Sequence, residues 1–309
     1  ISYTVTDGST TLCKATSAPF EVTVNSLPTV TSSATGTICS GVAQNYQITG
    51  GVSGTTFSWG RAVVPGISNA VTSGQLSNPI TETLINTTTS PIDVFYLITP
   101  YTSSGGNNCF GDVFTYTVTV NPLPTVTVNS ETVCAGQSAT IMATPGSGAG
   151  SDYNYTWTVP SGATAPGNVQ RFSATEAGNY SVVITNKATN CISASASGSL
   201  TVNVLPTAPN EANVTTPYTG TTHQLSVNAG TGMTIDWYAE ATGGTPLLVG
   251  NKDYTPTAIH AGIYTYYAES RITATGCVSS SRRAVVLTIT KVPLTVTAWP
   301  SRAAGIKSG

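Results

Sequence analysis

Two histidines, His223 and His260, and thirteen carboxylates are what the chain offers for acid–base or metal chemistry, and neither histidine stands in an HExxH or other paired-ligand spacing. His223 follows Gly220-Thr-Thr and His260 precedes Ala261-Gly262, so both read as polar residues of loops or strand edges. Asp152, Asp236 and Asp253 are scattered without the Asp-x-Asp-x-Asp pattern of a calcium loop and read as isolated loop acids. No Gly-x-Ser-x-Gly elbow is present to raise a serine nucleophile. The expectation is a chain with no catalytic residue, no metal and no cofactor. What remains chemically distinctive is six cysteines: Cys13, Cys39, Cys109, Cys134, Cys191 and Cys277.

Composition names the elements that must carry those cysteines. Only 8 % of the 309 residues are charged, and Thr, Ser, Val and Gly dominate. β-branched side chains suit a pleated surface, and the Glu, Lys and Arg that solvate helices are scarce, so almost no helix is expected. A net charge of -2 gives no basic field for phosphates and argues against nucleic acid as a partner. No apolar run reaches the ~18 to 20 residues of a membrane span, and no charged-then-apolar signal opens the chain, which places any targeting signal outside this stretch.

The pattern repeats. Leu-Pro-Thr occurs at Leu27, Leu123 and Leu205, each time after an alternating strand: Phe20 to Val24, Phe114 to Val120 and Leu200 to Val204. A looser fourth copy runs from Ala284 to Thr290 and into Val292-Pro293-Leu294. Pro28, Pro124, Pro206 and Pro293 read as stiffeners of the linkers between repeats. Cys13, Cys109 and Cys191 each stand fourteen residues before the leucine, and Cys277 holds the corresponding place in the last copy. Cys39 and Cys134 sit early in their repeats, each two residues before a glycine and about 20 residues before Trp59 and Trp157. Trp237 takes that place in the last repeat, which has no early cysteine. The shared position makes the three tryptophans core residues that pack both sheets, not a sugar-stacking platform. The strand Tyr264-Thr-Tyr-Tyr267, exposing alternate rings, is the one candidate sticky face, and a half-buried strand explains it as well.

A repeat of about 80 to 95 residues is one β-sandwich. The chain therefore reads as all-β, with tandem immunoglobulin-like (PKD-like) sandwiches in a linear rod. Its segments are 1–25 (last strands of a truncated repeat), 26–121, 122–204 and 205–291 (three complete repeats), and 292–309 (the start of a further β domain or a tail).

The Cys-x-Gly turn, aromatic-x-Trp strand, late cysteine and closing Val-x-Val-x-x-Leu-Pro-Thr resemble the PKD-like and Ig-like repeats of giant gliding motility adhesins of Bacteroidetes-type bacteria. The last repeat is similar to their Ig-like module through Trp237-Tyr-Ala-Glu-Ala-Thr-Gly-Gly244 and Tyr266-Tyr-Ala-Glu-Ser-Arg271. The resemblance implies a substrate of the type IX secretion system, exported across the outer membrane to the cell surface. Its implied partners are neighbouring repeats of the same long chain, secretion and surface-anchoring machinery, and polysaccharide or solid surfaces. The implied role is a non-catalytic stalk supporting attachment and gliding. The alternative is an accessory or carbohydrate-binding region of a secreted glycan-degrading enzyme.

In an exported chain of this kind the cysteines are expected as disulfides. An early cysteine ends the first strand of such a sandwich at the pole facing the next one, whereas a late cysteine lies at the opposite pole. The residues from Cys191 to Val204 span about 43 Å when extended, and a disulfide needs Cα atoms within roughly 7 Å. The expected bonds are therefore interdomain, Cys39–Cys191 and Cys134–Cys277, with Cys13 and Cys109 left for missing upstream repeats. Intradomain pairing, Cys39–Cys109 and Cys134–Cys191, stays open as the alternative. Four Asn-x-Ser/Thr matches, at Asn86, Asn154, Asn179 and Asn213, arise readily in so Thr-rich a chain.

Overall fold

The computed structural model describes residues 4–6, 14–19, 24, 26–104, 107–210 and 213–293. Residues 20–23, where a strand was expected, and 294–309 lie outside that set, as does Cys13. Ahead of the first sandwich, β1 (Thr4–Thr6) and β2 (Lys14–Thr16) pair antiparallel with Thr4 opposite Thr16.

The first sandwich contains β3 (Thr35–Cys39), β4 (Thr56–Arg61), β5 (Thr72–Gln75), β6 (Ile92–Ser104), β7 (Asn107–Phe110) and β8 (Phe114–Asn121). They form one sheet in the order β3-β8-β6-β4-β5, with β7 folded back on the end of β6. The facing layer is held by the isolated bridges Ala43–Thr83, Tyr46–Ile80 and Ile67–Asn86.

In the second sandwich β9 (Val126–Val128), β10 (Glu131–Cys134), β11 (Ala139–Pro145), β12 (Tyr153–Thr158), β13 (Arg171–Ala174), β14 (Gly178–Asn186) and β15 (Ala196–Asn203) make two sheets. Their orders are β10-β15-β14-β12 and β13-β11-β9. The third sandwich pairs β16 (Val214–Pro217), β21 (Arg283–Thr290), β20 (Gly262–Ile272) and β18 (Met233–Tyr238) in that order, against β17 (Leu225–Ser226) and β19 (Asp253–Tyr254). Helix is confined to one 3-10 turn, Gly150–Asp152, among the described residues.

Alternation along the closing strands builds each core. Tyr116, Val118 and Val120 of β8 point inward, as do Val285, Leu287 and Ile289 of β21, while the residues between them, Thr117, Thr119, Val286 and Thr288, are only partly buried on the other face. The tryptophans cross from one layer to the other. Trp59 and Trp237 are buried, and Trp157, partly buried, packs against both core clusters of its sandwich. Each indole N–H donates to a downstream backbone carbonyl, Trp59 to Ser77, Trp157 to Val169 and Trp237 to Asn251, at 2.8 to 3.0 Å. Each ring also meets an aromatic partner, Trp59 with Tyr96, Trp157 with Phe172 and Trp237 with Tyr254.

Two buried polar knots accompany the cores. In the first, Arg61 donates to Glu82, the Tyr96 hydroxyl donates to the same carboxylate at 2.6 Å, and Gln44 Nε2 donates to that hydroxyl. Burial, with the Glu82 carboxylate beside it, drives the Tyr96 pKa up beyond any physiological range, so the hydroxyl remains a donor. In the second, Asp236 accepts from Arg271, and the Arg282 guanidinium stacks over the Tyr238 ring. Asp236 is thus a buried strand residue and Asp253 lies in β19, which corrects the reading of both as loop acids. Asp152 does lie in the exposed 3-10 turn.

The late cysteines sit in matching hairpins. In the second sandwich Asn190 N–H donates to Asn186 O and Asn186 N–H to Cys191 O; in the third, Gly276 N–H donates to Ile272 O and Ile272 N–H to Cys277 O. The residue before each cysteine is left-handed, Asn190 at φ 58° and Gly276 at φ 74°.

Two stability predictions follow from this packing. Tyr96→Phe removes the hydroxyl that joins Glu82 to Gln44 and is expected to cost about 1 to 3 kcal/mol of first-sandwich stability in urea unfolding; an unchanged midpoint would deny the knot its structural role. Gly276→Val forces a β-branched residue into the left-handed region and is expected to destabilise the third sandwich by roughly 1 to 2 kcal/mol. Asn190→Gly, by contrast, should stay within about 1 kcal/mol of the parent in the same assay.

Candidate functional site: the two clamped junctions

Each sandwich starts with a strand that runs parallel to its own last strand: β3 beside β8, β10 beside β15 and β16 beside β21. Parallel pairing carries the end of the first strand to the pole from which the chain departs for the next sandwich. Cys39 accordingly stands abreast of Asn121, and Cys134 abreast of Asn203, one residue before the respective linkers begin. Just past each cysteine the next N–H donates to that asparagine's carbonyl, Ser40 to Asn121 and Ala135 to Asn203, both at 2.8 Å. The chain then turns through left-handed Gly41 or Gly136.

The late cysteines lie at the other pole of the following sandwich. Cys39 is bonded to Cys191 with Cα atoms 5.5 Å apart, and Cys134 to Cys277 with Cα atoms 5.7 Å apart. Both separations fall within the range a disulfide requires. Each bond therefore bridges two sandwiches beside the linker that joins them. The intradomain pairs do not form: Cys109 is unpaired among the described residues and exposed. Cys191 and Cys277 are each 1 % exposed.

The cysteine-bearing hairpins are fastened from inside. Ser193 Oγ accepts the Ile184 N–H at 3.0 Å, and Ser279 Oγ accepts the Ser270 N–H at 3.2 Å, both serines being buried. Asn186 Oδ1 accepts the N–H groups of Ala188 and Thr189, closing the turn that presents Cys191. In the first sandwich the position two after the cysteine is Gly111, and the carbonyl oxygen of Pro28 would lie 1.8 Å from a Cβ there. The incoming linker thus runs where the other two hairpins hold a serine. Pro28 and Pro206 are buried against their sandwiches, and Pro124 is partly buried. Pro293, the last described residue, is exposed.

The first junction encloses a cleft to which both sandwiches contribute, lined by Pro91, Asn121, Leu123, Gly146, Tyr153 and Asn186. No charged side chain lines it. The third sandwich lacks an early cysteine for a concrete reason: Pro217 occupies the register position, abreast of Thr290, that Cys39 and Cys134 hold in the others.

Elsewhere the chemistry is sparse. Among the described residues no three metal-ligating groups converge. His260 is exposed, its backbone oxygen accepting from Tyr264, whereas His223 is half-buried. Hydrogen bonds to Ser226 and Lys252 pull the Asp253 carboxyl below its ordinary range. Asn86 spends its amide on Ser90 and Val120 carbonyls and is buried. Tyr264 and Tyr266 are partly buried against the third core, as a half-buried strand would have them, and they form no exposed face of alternate rings. The most exposed apolar pair on a sheet face is instead Phe95 and Leu97 of β6, 53 % and 54 % exposed. The run Ile92 to Ile98 is apolar or aromatic at every position but Asp93, so the sequence did not show which face would lie inward.

Comparison with known proteins bears out the module types. Residues 36–124 match a PKD-like domain, and residues 206–290 match the Ig-like domain described as CHU_C associated. No curated protein matches the chain. Among solved structures it is similar to Sidekick-1 immunoglobulin domains 1-5, with 15 % identity, 83 % of this chain and 58 % of that chain covered, and a TM-score of 0.31. Mouse cadherin-23 EC22-24 gives 8 % identity, coverages of 87 % and 100 %, and a TM-score of 0.26. The Bacteroides ovatus mixed-linkage glucan utilization locus protein SGBP-B, in complex with a mixed-linkage heptasaccharide, gives 13 %, 87 %, 72 % and 0.21. At such scores nothing about function passes from those proteins to this chain. The chain is all-β, a tandem of immunoglobulin-like β-sandwiches that includes a PKD-like and an Ig-like domain.

Proposed function

We propose that this chain is the non-catalytic repeat stalk of a secreted bacterial cell-surface adhesin, supporting surface attachment and gliding motility by extending and transmitting force. The observation that carries this reading is that a disulfide straddles each of the two junctions between sandwiches. Covalent loops of 152 and 143 residues would each stabilise the folded chain by on the order of 4 to 5 kcal/mol through lost unfolded-state entropy. The mechanical effect outweighs that: neighbouring sandwiches joined both by a proline-stiffened linker and by a disulfide cannot swing apart. The repeats are 26–121, 122–204 and 205–291, and Cys109 and Cys13 are the late cysteines that would receive early cysteines of repeats further upstream.

Disulfides and Ig-like modules fit an oxidising, extracellular setting. The finer placement at the cell surface, with export by a type IX system, rests on the resemblance of the repeats. The rival reading, a carbohydrate-binding region of a glycan-degrading enzyme, has less to stand on. Trp59 and Trp237 are buried, Trp157 packs on both core clusters of its sandwich, and all three indole N–H groups donate to backbone carbonyls, so they supply no stacking platform.

Non-reducing peptide mapping is expected to recover Cys39 joined to Cys191 and Cys134 joined to Cys277, and recovery of Cys39 with Cys109 would end the stalk reading. Paired probes on the first and third sandwiches should report one narrow distance distribution in the oxidised chain and a several-fold broader one after reduction. Equal widths would mean that the bonds add no stiffness.

A further inference from the structure

We infer that the two disulfides act together as an extension limiter in which the second sandwich is the strap that takes the load. The inference rests on the stalk reading only in supposing that tension is applied. The bonds interleave: Cys134 lies within the loop closed by Cys39–Cys191, and Cys191 lies within the loop closed by Cys134–Cys277. Besides the plain backbone, three covalent routes that use the disulfides therefore lead from Cys39 to Cys277. One follows the backbone to Cys134 and crosses there, about 95 peptide units in all. Another crosses at once to Cys191 and follows the backbone onward, about 86 units. The third crosses both bonds and runs backwards along the chain from Cys191 to Cys134, only about 57 units.

The shortest route tightens first, whatever becomes of the folded structure. Fully drawn out, it reaches ~205 Å, whereas the backbone alone, about 238 units from Cys39 to Cys277, would reach ~860 Å. Once the sandwiches are unfolded, the residues between Cys39 and Cys134 (β4 to β10) and those between Cys191 and Cys277 (β15 to β20) lie on slack branches, and the strap is the stretch that held β11 to β14. While the second sandwich is folded, β10 and β15 still carry force into it. Unfolding the first or third sandwich therefore adds little length. Tension enters the second sandwich at the β14–β15 hairpin and leaves at the end of β10, at opposite poles. It pulls β10 lengthwise past β15 and loads the parallel ladder from Glu131–Leu200 to Cys134–Asn203 in shear, with its hydrogen bonds strained together.

The test is single-molecule stretching of the full 309-residue chain by its two ends, oxidised, reduced, and with each bond removed in turn (Cys39→Ser with Cys191→Ser, and Cys134→Ser with Cys277→Ser). Complete unfolding of the oxidised chain is expected to fall short of the reduced chain by about 181 residues of contour, ~650 Å. Loss of the first bond alone should return only about 38 of those residues, and loss of the second alone about 29, because another short route remains each time. Single losses that add up to the joint loss would overturn the limiter, as would an oxidised shortfall of about 127 residues, the value for intradomain pairs. The rupture force is a separate readout. Contours as expected, with unfolding at negligible force, would support the limiter while removing the force-bearing stalk.

Discussion

The parallel pairing of each sandwich's first strand with its last is the constraint on which the rest depends. An antiparallel partner would return the early cysteine to the pole where the chain enters. The parallel one delivers it to the pole of departure, abreast of the last strand residue, so that Cys39 and Cys134 stand beside the linkers that follow Asn121 and Asn203. A disulfide then needs only that the next sandwich present a cysteine at its near pole, and the β14–β15 and β20–β21 hairpins do so. Strand direction, a backbone property, thus decides whether six thiols staple domains individually or tie neighbours together.

Holding the late cysteine in place is a local problem solved twice in the same way. A left-handed residue reverses the chain ahead of the sulfur, and a buried serine hydroxyl two positions later accepts a strand N–H. These contacts lie within one sandwich and leave the sulfur to reach across the junction. The hairpin of the first sandwich departs from the scheme. It is two residues longer, with β7 extending the ladder of β6, and Gly111 replaces the serine because the Pro28 backbone occupies that space. Its cysteine is the exposed one, consistent with a hairpin whose upstream bond is not made within the described residues.

Much of this was legible in the sequence, for physical reasons. Strict alternation in Phe114 to Val120, and a looser one in Ala284 to Thr290, requires one buried face, and the observed strands β8 and β21 differ from those ranges by a single residue. The fourteen-residue spacing of the late cysteines reflects a hairpin and strand of constant length. What stayed hidden depends on register between distant segments. Nothing in Ile235-Asp-Trp237 announces that Asp236 is buried against Arg271, because the two meet only diagonally, once β18 and β20 are aligned with Asp236 opposite Glu269 and Arg271 opposite Thr234. The Arg61, Glu82, Tyr96 and Gln44 knot likewise joins four separate segments. A sequence so poor in charge makes each such pair look like an isolated surface residue, when scarcity instead lets the few ions be placed inside. Tyr264 misleads in the opposite way: its alternation with Thr265 is genuine, but its ring faces the core.

Pro217 gives the arrangement a direction. It holds the register position of the early cysteines, and its neighbour Tyr218 donates to Thr290 O at 2.9 Å just as Ser40 and Ala135 donate to Asn121 and Asn203. The backbone of a clamp is therefore preserved where the thiol is not. A proline cannot cross-link, so whatever sandwich follows residue 290 cannot be tied to the third one by this device. At the other pole, the Cys109 sulfur remains available. On the stalk reading, the stiffness that disulfides would impose belongs to the two clamped junctions, and it would stop at the third sandwich by the chemistry of one side chain, with the fold itself unchanged. A chain built in this way can set where it bends by exchanging cysteine for another residue at a single register position, without altering any core.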